Sequence, residues 1–96
     1  MSDITEVPGP QYGATAQVSV STTATLVLAA NVTRVATVFV NTAASTTVYL
    51  GFSNAVTAST GFPVAGGASV SMNTSAAVYG ITASSTVTVG VLQTET

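Results

Sequence analysis

The chain contains no cysteine, no histidine and no lysine, and its single cation, Arg34, stands against three carboxylates, Asp3, Glu6 and Glu95. Each absence closes a class of function. Without Cys the fold is independent of the redox state of its compartment, and without Cys or His a zinc ion lacks its usual ligands. Without His or Lys the many Ser and Thr hydroxyls have no base to activate them. The carboxylates all lie near the chain ends and form no acid–base pair in the sequence. No enzymatic activity and no cofactor are expected. One arginine makes no basic patch, so nucleic acid is not expected as a partner.

No apolar run approaches the roughly 18 residues of a membrane-spanning helix, and no membrane association is expected. Met1–Pro10, MSDITEVPGP, is acidic and bears two prolines, unlike a secretory signal, which points to synthesis in a cytosol.

What is present is narrow in kind. Val, Thr, Ala and Ser make up 60 of the 96 residues, and 47% of the chain is hydrophobic while only 4% is charged. Disorder needs the opposite balance. β-Branched side chains are stiff at χ1 and fit a pleated surface, so the bias favours strands. With charge far below the roughly 25% of ordinary domains, solubility rests on hydroxyls and Asn, or on coverage of the surface by partners.

Residues 1–16 show no sustained apolar period and hold Pro8 and Pro10, which predicts an extended N-terminal arm followed by a single β domain over 17–96. Strand-like runs follow at Gln17–Ser21, Ala24–Ala30, Arg34–Asn41, Thr46–Phe52, Ala68–Met72, Ala76–Ala83 and Thr86–Gln93. Short runs at near-regular spacing predict an all-β sandwich or small barrel of seven to eight strands, of jelly-roll or Greek-key type. In Thr86–Gln93, Val87, Val89 and Val91 share one face; in Thr46–Phe52, Val48, Leu50 and Phe52 do. Arg34–Asn41 is apolar on both faces, which predicts a strand covered on both sides, in a sandwich interior or at a subunit interface. Gly61–Gly67, which contains Pro63 and three glycines, reads as a structured loop.

Three groups of residues carry a choice of role. Arg34 is either a contact for an acidic partner or sister subunit, or a solvated residue at a strand start. Tyr12, Tyr49 and Tyr79 are interface anchors or half-buried residues with wet hydroxyls. Asn31–Val32–Thr33 and Asn73–Thr74–Ser75 fit the glycosylation pattern, which arises by chance in so Thr/Ser-rich a chain.

The stretch from Val48 to Glu95 has a Gly-Phe pair after a strand, an STG-x-P-x-x-G-G loop, a VYGI strand and a Val-rich closing strand ending in Glu. In these features it resembles small β-rich virion proteins of tailed bacteriophages, and among them it is most similar to capsid decoration, or cement, proteins. The resemblance covers about half the chain and implies a structural protein on the outer surface of the capsid, made in the host cytoplasm. Its partners would be the major capsid protein and itself, as a homotrimer. An arm lying along the edge of a shell protein's sheet would place Ile4, Val7, Pro8, Pro10 and Tyr12 at the contact, and Arg34 is a separate candidate for a partner contact. A tail, baseplate or head-fibre component is the alternative in the same setting. The Thr and Ser content also fits a remoter one, an ice- or glycan-binding surface, although ice binding needs Thr at a fixed repeat and the spacing here is irregular.

Overall fold

A computed structural model describes residues 12–95, which form eight strands and no helix. The strands are β1 (Tyr12–Val20), β2 (Thr25–Leu28), β3 (Arg34–Asn41), β4 (Val48–Gly51), β5 (Phe62–Val64), β6 (Ser69–Met72), β7 (Val78–Thr82) and β8 (Val87–Glu95). They make two four-stranded antiparallel sheets, ordered β1-β8-β3-β6 and β2-β7-β4-β5. First pairs with last, second with seventh, third with sixth and fourth with fifth, as in a long antiparallel ribbon rolled on itself. That order is an eight-stranded jelly roll, one of the sandwiches the strand spacing predicted.

The period-2 pattern places the core. Val87, Val89 and Val91 of β8 are buried, as are Val48 and Leu50 of β4, and they close with Val20, Val27, Phe39, Val64 and Val78 into one apolar layer between the sheets. A small inner position lets the sheets approach: a Cβ on Gly80 of β7 would stand 3.1 Å from Val27 Cγ2 and 3.4 Å from Val20 Cγ1.

The structure revises three expectations. β1 begins at Tyr12, so residues 12–16, assigned to the arm, belong to the sheet, held there by a continuous ladder to β8 from Tyr12↔Glu95 to Val20↔Val87. Tyr12, Ala14, Ala16, Val18 and Val20 alternate with polar or small residues, but Ala14 and Ala16 are small and both stay exposed, so this end of the strand carries only a weak apolar signal. The 61–67 loop contains a strand: β5 runs along the free edge of its sheet, where Pro63, which has no N–H to donate, is tolerated opposite Tyr49.

The third revision concerns β3. A register shift between Arg34 and Ala36 breaks the alternation, leaving Val35 exposed and turning Arg34 inward. Beyond it Thr37, Phe39 and Asn41 are buried, while Val40 on the other face is open. Within one chain β3 is therefore covered on one face only.

Two polar residues lock the ends of β3. Asn41 donates from Nδ2 to the carbonyls of Thr46 at 2.7 Å and Val64 at 2.8 Å, and its Oδ1 accepts from the Ala43 amide at 3.0 Å. A buried amide with its partners satisfied specifies register rather than weakening the core. Arg34 does the same at the other end.

Candidate functional site

The most distinctive surface feature is an open apolar notch at one end of the sandwich, about 280 Å³ in volume, between β4 and β5 of one sheet and β6 of the other. Leu50, Phe52, Phe62, Val70, Met72 and Val78 line it. Alternation explains why it exists. Leu50 and Phe62 are register partners, as are Val48 and Val64, so Phe62 continues the core-facing row of β5. Phe52 has the parity of Val48 and Leu50, as the sequence pattern predicted, but it lies one residue past the end of β4, where the core has run out. The result is a pair of phenylalanines 63% and 59% exposed, at positions where further along the same strands the side chains are buried.

The connection between the two aromatics is built to hold them. Residues 52–61 loop out and return through Val56, which is buried. A Cβ on Gly51 would lie 2.7 Å from Val56 Cγ2, and one on Gly61 would lie 2.7 Å from Tyr49 Cβ and 2.9 Å from Val56 Cγ2, so glycine is required on both sides of that plug. One hydroxyl bond and one backbone bond close the turn: the Thr57 amide donates to Thr60 Oγ1 at 3.0 Å, and the Gly61 amide donates to the Thr57 carbonyl at 2.8 Å. Phe52 and Phe62 thus stand on a loop fixed at its base, and little order is lost when something packs on them.

No charged side chain lines the notch; its one hydroxyl is Ser71. Among the described residues no group of three or more His, Cys, Asp or Glu comes together. The arrangement can accept an apolar side chain and offers no acid, base or nucleophile–base pair to act on it.

The sequence-derived candidates fall elsewhere. Ile4, Val7, Pro8 and Pro10 lie outside the described residues, and Tyr12 opens β1 at the far edge of the other sheet. Arg34 is not the solvated strand-start residue expected of a lone charge. It is 6% exposed, and its guanidinium donates to three carbonyls: Nε to Thr74 at 2.8 Å, Nη1 to Ala29 at 2.8 Å and Nη2 to Ala76 at 2.6 Å. This is a clamp on the chain's own backbone. Tyr49 and Tyr79 are half-buried. Asn31 Oδ1 accepts from the amide and hydroxyl of Thr33, which closes a local turn.

Phe62, Val70 and Met72 carried no functional assignment in the sequence. A signal for the notch does exist there: the dipeptide Gly-Phe occurs at 51–52 and again at 61–62, either side of a Ser/Thr-rich loop. Paired exposed aromatics at both feet of one loop become visible only when β4 and β5 are seen to be neighbours.

The chain matches no protein-family model, no curated protein and no solved structure.

Proposed function

We propose that this chain is a structural virion protein that decorates and cements the capsid of a tailed bacteriophage, and that it grips an apolar side chain of the assembled shell protein in the notch between Phe52 and Phe62. The observation that carries this reading is the notch itself: two fixed, exposed aromatics over an apolar floor, in a chain with almost no charge. Buried aromatic anchors dominate the energy of protein interfaces. The resemblance of Val48–Glu95 to small β-rich virion proteins supports the shell as the partner, and the jelly roll is an architecture that capsid proteins use among others.

A ligand that binds only the assembled state stabilises it by RT ln(1 + [L]/Kd), about 2.7 kcal/mol per site at 100 times Kd. Over the many equivalent sites of a shell, modest binding resists the outward pressure of packaged DNA. With apolar contact and few charges, added salt weakens the association little.

The test compares virions with and without the protein under heat or chelator stress, together with its copy number per particle. Hundreds of copies and earlier DNA loss from stripped particles are expected. Stripped particles that hold their DNA equally well overturn the reading. In that case a copy number of a few to dozens moves the protein to the tail, baseplate or head fibre.

A further inference from the structure

The four sheet edges of this jelly roll are not alike. β5 is three residues long with proline at its centre, β6 is four residues long, and β2 is four residues long with a register shift between Leu26 and Leu28. Shortness, proline and bulges are the devices by which proteins stop an edge from recruiting another strand. β1 has none of them. It runs nine residues, Tyr12–Val20, without proline, charge or break in register. Among the described residues its second edge has no backbone partner, and Gly13–Gln17 are exposed. It presents a row of N–H and C=O groups ready for a further strand.

We propose that the free edge of β1 pairs antiparallel with β1 of a second copy, about a two-fold axis through Ala16, joining two four-stranded sheets into one of eight. Among the described residues β1 is the only long, unbroken strand with a free edge, so a second β1 can match it along its whole length. In antiparallel self-pairing, opposed residues keep the same parity, so both faces match. Thr15 meets the partner's Gln17 and Gly13 the partner's Ser19 on the outer face. Ala14 meets the partner's Val18 on the inner face, where Ala14 and Ala16 are exposed. The contact is isologous and closes at two copies, leaving no long edge to propagate a fibre. It predicts association in twos, whereas the resemblance implied threes, and it does not rest on the shell-binding reading.

The test is the mass of the full chain in solution, by light scattering or sedimentation, for the wild type and two double variants. The substitutions use Thr15 and Gln17, both exposed, with far-UV circular dichroism and the thermal midpoint as controls of folding. A wild-type mass of twice 9.4 kDa is expected. Thr15→Lys with Gln17→Lys sets like charges directly opposite each other at two places and should weaken the dimer by roughly tenfold or more. Thr15→Lys with Gln17→Glu sets opposite charges at the same places and should preserve it. A monomer at all concentrations, a trimer, or a dimer equally tolerant of both variants overturns the proposal. So does a monomer whose β1 amides exchange slowly only while residues 1–11 are present, which assigns the edge to the chain's own N-terminal segment.

Discussion

Arg34 donates through Nε to the carbonyl oxygen of Thr74 at 2.8 Å, tying the start of β3 to the turn between β6 and β7, forty residues away. Two more bonds, to Ala29 and Ala76, make the chain's only cation a three-way staple. Removing it takes the donor from three part-buried carbonyls, two of them on exposed residues that water can reach. Arg34→Ala should cost about 1–3 kcal/mol, and Arg34→Lys, which lacks the planar fork, should recover only part of it. Urea denaturation reads both; a loss under about 1 kcal/mol for the alanine variant contradicts the staple.

The other end of β3 makes a parallel claim. Asn41→Leu keeps the branched side-chain skeleton but is bulkier and leaves the Thr46 and Val64 carbonyls without donors, a cost of about 2–4 kcal/mol. Asn41→Asp should be worse near neutral pH, because a carboxylate then confronts those carbonyl oxygens. If the two variants are equally stable by chemical denaturation, Asn41 is not acting as a donor.

Glycines separate by what surrounds them. A Cβ on Gly66 would lie 2.7 Å from the Ser45 amide nitrogen and 2.9 Å from the Ala44 carbonyl carbon, backbone that cannot step aside cheaply, and Gly67 has φ +79°. A Cβ on Gly90, in the middle of β8, meets nothing within 4 Å. Gly66→Ala should therefore lower the thermal midpoint clearly, Gly67→Ala should cost about 1–2 kcal/mol from the left-handed backbone, and Gly90→Ala should be neutral or stabilise by up to about 1 kcal/mol. The reverse order of midpoints would refute this account.

For the notch, stability and binding should part company. Phe52→Ser and Phe62→Ser remove side chains that are mostly exposed, so each should change folding stability by less than about 1 kcal/mol. Each should weaken capture by empty shells about tenfold or more in a pelleting assay, the loss expected of an aromatic anchor. Unchanged binding by the double variant removes the notch from the interface and leaves the folding predictions untouched.

Much of this architecture is local and was legible. Val87, Val89 and Val91 alternate because a half-covered strand has period two, and that pattern alone assigns β8 and its buried face. The dominance of β-branched and small residues is enough to predict an all-β sandwich.

Tertiary structure decided the rest, because those features depend on which strands become neighbours. Residues 12–16 are a strand on account of β8 alongside them, and Phe62-Pro63-Val64 is a strand on account of its place at an edge. A register shift of one residue turned Arg34 from an expected surface charge into a buried staple, since side-chain direction in a strand reverses with every residue. Phe52 and Phe62 line a notch because the buried rows of β4 and β5 end at Leu50 and Val64. Side-chain type is written in the sequence, but whether an apolar side chain is core or surface depends on what the rest of the chain lays over it.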